Sequence, residues 1–119
     1  LDGLAEPVES KEIRMNLLLD DFKQYGQKII DEITAFAAKA PGWIPAQDNY
    51  EGIRVAFGKN DGDGWFLLRL SLHDPLMPLN IESDSAGGVK IIAEKLYDAI
   101  KQYDKLDTAP LKNFIDGAN

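Results

Sequence analysis

The chain contains no cysteine, which excludes disulfides and cysteine-based zinc sites and is compatible with a reducing compartment. Its one histidine, His73, cannot build a multi-histidine metal centre. No apolar run reaches the roughly 18 residues that a membrane-spanning helix needs. The start, Leu1 to Glu6, has neither a basic stretch nor an apolar core, so it does not read as a secretory signal. It also lacks an initiator methionine, and the expectation is an excised fragment or a processed product. Positive charge is in deficit: 13 Lys and Arg face 20 Asp and Glu, a net charge of −7. Such a surface repels nucleic acid and anionic lipid at long range. An anionic ligand would therefore need a local basic pocket.

What is present is an ordinary globular composition, 45% hydrophobic and 28% charged, over 119 residues. That length suits one domain with one modest core. Residues 11 to 18 alternate, with Ile13, Met15 and Leu17 against Arg14, Asn16 and Leu18, and read as a half-buried strand. Asp20 offers an N-cap for a helix whose stripe is Phe22, Tyr25, Ile29, Ile33 and Phe36, widened by Ile30 and Ala37. Ala40-Pro41-Gly42 stops it, and residues 43 to 49 read as a loop. Gly52 to Phe57 alternates again. Residues 58 to 64, rich in Gly, Asn and Asp, form a hairpin connection. Trp65 to Leu70 is nearly continuous and apolar, as in a strand buried in part on both faces. Met77 to Glu82 is a further strand, in which Pro78 demands an edge position or a place near the start. Ser83-Asp84-Ser85 supplies caps for a second helix with the stripe Val89, Ile92, Ala93, Leu96, Ile100 and Tyr103. The order is β-α-β-β-β-α: an α+β domain with two helices on one face of a four-stranded, mainly antiparallel sheet. Residues 1–119 form a single domain, with its core at about 8–103 and a tail at 104–119 whose packing is left open.

The most specific stretch is Arg69-Leu70-Ser71-Leu72-His73-Asp74-Pro75, lying between two apolar strands. An arginine, a hydroxyl and an imidazole in one turn make an oxyanion site, best matched to phosphate. Guanidinium forks engage phosphate oxygens two at a time. A serine hydroxyl and turn N–H groups complete a cradle. Arg54, on the preceding strand, adds to the local basic charge. Asp61-Gly62-Asp63-Gly64 reads as turn chemistry and not as a metal loop. Gly87-Gly88 reads as close backbone packing.

In this context the sequence resembles a known family. The run Gly64-Trp65-Phe66-Leu67-Leu68-Arg69-Leu70-Ser71-Leu72-His73-Asp74-Pro75, an apolar strand, then Glu82-Ser83-Asp84 and a helix, looks like the C-terminal domain of the α-D-phosphohexomutases, the phosphoglucomutase and phosphomannomutase enzymes. Members carry Arg-x-Ser-x-Thr-(Glu/x)-Pro, or a His variant, in this turn. Upstream, Ser10-Lys11-Glu12-Ile13 and Glu51-Gly52-Ile53-Arg54-Val55 fit as well, so the resemblance covers roughly residues 8 to 103.

The resemblance implies the last domain of a four-domain cytoplasmic enzyme, with a fold similar to the TATA-box-binding protein. The parent moves a phosphoryl group between the 1 and 6 positions of a hexose phosphate. A phosphoserine in the first domain and Mg²⁺ in an aspartate loop of the second do the chemistry; neither domain is present here, so the fragment itself needs no cofactor and should not catalyse. Its partners would be the hexose phosphate substrate and the other three domains, with no nucleic acid and no membrane. By the same implication Arg69, Ser71, His73 and the backbone of Leu72 hold the substrate phosphate, while Asp74 and Pro75 shape the turn. His73 stands at the family's threonine, and Leu72 departs from its polar or small residue. Ser71 is no nucleophile: no base triad is visible, and by the resemblance the family's reactive serine lies in another domain. The rival reading is a stand-alone α+β module binding a small ligand or a protein without catalysis. The sequence leaves open which hexose is preferred and in what oligomeric state.

Overall fold

The structure, a computed structural model, describes residues 6–47 and 52–117. It is α+β. The strands β1 (Glu9–Asn16), β2 (Ile44–Pro45), β3 (Gly52–Phe57), β4 (Gly64–Arg69) and β5 (Leu76–Ser83) form one antiparallel sheet in the order β1-β5-β4-β3-β2. Helices α1 (Phe22–Ala37), α2 (Gly88–Ile100) and α3 (Ala109–Ile115) accompany it.

The alternation expected of the strands is present. Ile13 and Met15 on β1, Met77, Leu79 and Ile81 on β5, Phe66 and Leu68 on β4, and Ile53 and Val55 on β3 share one buried face. Ile29 and Ile33 of α1 and Ile92, Leu96 and Ile100 of α2 close over it. Each fully buried aliphatic or phenyl side chain contributes about 1.5–3 kcal/mol relative to exposure. Trp43, just after α1, stacks edge-on against Phe36, Phe57 and Phe66 and seals the β3 side of the core.

Several expectations need correction. The sheet has five strands, not four: Ile44–Pro45, inside the stretch read as a loop, pairs with Ala56 and Val55. Two residues are too few to display a period of two, and proline is tolerated there because the strand is an edge. A third helix, α3, packs the tail, burying Leu111 and Ile115, while Leu106 bridges Leu17. Of the two places allowed for Pro78, the structure shows the one near the strand start: β5 lies between β1 and β4, and its pairing with β4 begins at Leu79, one residue past Pro78.

Both helix caps also differ. Asp21, not Asp20, occupies the N-cap of α1, and it makes no side-chain cap bond. At α2 the N-cap is Gly87, left-handed at φ 83, and the serines do not cap it. Instead the Glu9 carboxylate, from the far end of the chain, accepts hydrogen bonds from Gly87 N–H (2.9 Å) and Val89 N–H (3.1 Å). A carboxylate on the first turn satisfies orphan donors and complements the helix dipole. Ser83 is engaged elsewhere: its buried hydroxyl donates to Gly62 O at 2.5 Å and accepts from Ser85 N–H at 3.0 Å. Gly88 has to be glycine because a Cβ would run into Ser83 Oγ and Gly62 O. The hairpin between β3 and β4 uses positive φ at Gly62 and Asp63, as its composition implied.

Candidate functional site

The turn is suspended between β4 and β5. Arg69 ends β4, half-exposed, and Leu70 turns back against α1. Gly26 of α1 makes room for it: a Cβ there would lie 2.5 Å from Leu70 Cδ1. The loop is closed by Ser71 N–H donating to Leu76 O at 3.1 Å and by Leu76 N–H donating to Asp74 O at 2.7 Å. Leu17 N–H, just past β1, donates to Pro75 O at 2.7 Å, so three strands hold the turn.

Ser71 Oγ accepts the Asp74 N–H at 3.3 Å, the turn bond that a plain structural serine makes. That bond uses a lone pair and leaves the hydroxyl proton available to donate. Among the described residues, the N–H groups of Leu72 and His73 have no hydrogen-bond partner. Leu72 is 76% exposed, and His73, Asp74 and Pro75 are exposed as well. Among the described residues, the Asp74 carboxylate accepts no hydrogen bond; its main chain is what braces the turn. Arg69, Ser71, Leu72 and His73 thus lie in one continuous segment from the end of β4 into the bend, which carries a half-exposed hydroxyl and two N–H donors unpartnered among the described residues. Consecutive N–H groups of this kind make an anion-binding concavity.

Arg54 lies on the same uncovered face of the sheet as Arg69, but its guanidinium stacks on the Trp65 ring at 4.0 Å. The carboxylates of the Asp61–Asp63 hairpin are likewise committed within the fold. Asp61 lies 3.8 Å from Lys95, and Asp63 Oδ2 accepts the Ser85 hydroxyl at 2.5 Å. Among the described residues no group of three or more His, Cys, Asp or Glu could hold a metal ion, and no helix is long and apolar enough to cross a membrane. Among the described residues, surface clefts of 370, 460 and 570 Å³ have no residue of the turn in their lining; the 460 Å³ cleft between α1 and α2 is walled by Glu32, Phe36, Trp43 and Asp98.

Sequence reasoning overlooked Glu9 as a helix cap and Arg14 as a neighbour of the turn. Both depend on β1 pairing with β5, for which no local signal exists.

No protein-family model and no curated protein matches the sequence. Among solved structures the chain is similar to a phosphoglucomutase/phosphomannomutase family protein from Burkholderia thailandensis, with a TM-score of 0.57 and 24% identity over 89% of this chain. The likeness is one of fold. The chain spans only 20% of that protein's length.

Proposed function

We propose that this chain is the phosphate-holding C-terminal domain of a phosphohexomutase, an enzyme interconverting hexose 1-phosphate and hexose 6-phosphate. The observation that carries this reading is the bend that follows Arg69 at the end of β4, where the Ser71 hydroxyl keeps its proton and the N–H groups of Leu72 and His73 have no partner among the described residues. The fold likeness to a phosphoglucomutase/phosphomannomutase family protein supports it.

In this role the domain performs no bond-making. Arg69 forks onto the phosphate that is not reacting, Ser71 and the N–H groups complete its coordination, and His73 adds a donor. Fixing that phosphate fixes the sugar, which converts an encounter into a positioned reactant. The transferred group, and the Mg²⁺ that assists it, belong to other domains of a four-domain cytoplasmic parent. The Asp61 and Asp63 carboxylates, already engaged with Lys95 and Ser85, do not fit a magnesium loop. The helices-on-sheet arrangement would be the one shared with the TATA-box-binding protein.

A titration of the chain with glucose 6-phosphate and mannose 6-phosphate, followed by amide NMR, tests the reading. Shifts concentrated at residues 69 to 73 with millimolar affinity are expected, since one domain supplies part of the contacts. Absence of shifts there, or mutase turnover by the chain alone, would overturn it.

A further inference from the structure

The chain's three arginines, Arg14, Arg54 and Arg69, all project from the one sheet face that carries no helix among the described residues. None of the ten lysines does: Lys11 is on the covered face over Phe114, and the rest are on helices and connections. In a chain of net charge −7, this concentrates every delocalised, fork-shaped cation on one surface.

Register then separates the three. Arg54 is drawn away toward Trp65. Arg14 pairs with Pro78 on β5, and the β4–β5 pairing ends at Leu68 with Leu79, one residue short of Arg69 and Pro78. Continuing that register by one step sets Arg14, Pro78 and Arg69 in a row across three strands. The α-carbons of Arg14 and Arg69 are then about 10 Å apart, two strand spacings. Between them stands only a proline, and on Arg69's other side the paired residue is Gly52. No long side chain belongs to a row position between Arg14 and Arg69. The row lies at the end of the sheet from which the Ser71–Pro75 turn hangs, and Leu17, three residues after Arg14, is bonded to Pro75 O. The Arg14 side chain is 67% exposed, and its ion partner, Glu12 at 3.7 Å, is itself 57% exposed. A surface pair of that kind is worth about 0–1 kcal/mol and yields readily to a better anion.

We propose that Arg14 is a second cationic arm of the phosphate site, reaching over Pro78 to the anion that Arg69 holds and giving the site its preference for a dianionic phosphate ester. This rests on the phosphate-holding reading of the turn. Two like charges converging on one point are mutually unfavourable until an anion lies between them, and a dianion offsets that repulsion better than a monoanion of the same shape. Glu12 occupies Arg14 in the absence of ligand and so sets the arm's availability.

The experiment titrates the chain with glucose 6-phosphate and with its monoanionic analogue glucose 6-sulfate, comparing wild type with Arg14→Ala, Arg14→Lys, Glu12→Gln, Arg69→Ala and the remote Lys112→Ala. Arg14→Ala is expected to weaken the phosphate ester by about tenfold and the sulfate ester by about threefold, as loss of a charge-assisted contact predicts. Arg14→Lys should restore part of the phosphate preference, Glu12→Gln should tighten binding by about twofold, and Lys112→Ala should match wild type. Arg14→Ala binding phosphate like wild type while Arg69→Ala loses it would overturn the second arm and leave the clamp standing. Equal loss for both esters would overturn the dianion selectivity. Failure of the wild type to bind either ester would overturn clamp and arm together.

Discussion

Two serine-bearing bends at opposite ends of the sheet use the same residue type in opposite ways. At one end Ser83 is 1% exposed and its hydroxyl proton is committed, donated to Gly62 O, while its oxygen accepts from Ser85 N–H. At the other end Ser71 is half-exposed, accepts one N–H, and keeps its proton to give, next to two N–H groups without partners among the described residues. Buried polar groups must be satisfied internally, because an orphan costs about 1–3 kcal/mol. Exposed ones are satisfied by water and can exchange it for a ligand. A hydroxyl's unused capacity, in an exposed bend tied at both ends, is what separates a binding turn from a structural one.

The harshest way to break the comparison is at the buried junction. Gly88→Ala drives a methyl into Ser83 Oγ and Gly62 O, backbone and side chain both unable to retreat far. A loss of about 3 kcal/mol in denaturant unfolding is expected, with full shift of the unfolding midpoint and little change in slope. Ser83→Ala comes next, at about 2 kcal/mol, since Ser85 N–H then lacks its acceptor. Glu9→Gln removes the charge that holds the first turn of α2 and should cost about 1 kcal/mol, measured by the same unfolding curves.

A smaller effect concerns pH. Tyr103 is buried and its hydroxyl donates to Glu32 at 2.5 Å; burial first, then that carboxylate, push its pKa above the ordinary phenol value. In the unfolded chain the phenol ionises from about pH 10, while the folded protein keeps the proton. The contribution is therefore fully present below about pH 10 and is lost as pH rises beyond it. Thermal unfolding should fall more steeply above that pH in the wild type than in Tyr103→Phe; parallel curves would contradict the assignment. Smallest of all should be the stability effect of Ser71→Ala, within about 0.5 kcal/mol, paired with a roughly five-fold loss of glucose 6-phosphate affinity. A large stability loss at Ser71 would erase the contrast with Ser83.

Much of this was legible before any coordinates. The inward set on β1, β3 and β5, the buried stripe of α2 and the positive-φ hairpin all follow from local periodicity and turn composition, which a chain expresses within a few residues. On α1 the same reading needs correction at the ends of the stripe: Ile29, Ile30, Ile33 and Ala37 are buried, but Phe22 and Tyr25 are only partly so and Phe36 is 48% exposed. The closeness of Arg69, Ser71 and His73 along the chain needs no structure to be seen. The misreadings share a cause. Residues 44–45 are too short to show a pattern, the serines before α2 resemble caps until the Ser83 hydroxyl is seen to be taken, and α3 has one turn's worth of apolar residues.

By itself, then, the sequence determined the longer elements and the residue types of the bend, because both are local. Only the tertiary structure decided that the first strand lies beside the last. That pairing brings Glu9 to the start of α2, Leu17 to Pro75, and Arg14 to the row that ends at Arg69. Strand neighbours far apart in sequence are selected by the burial of a whole face at once, a sum over many side chains that no local window contains.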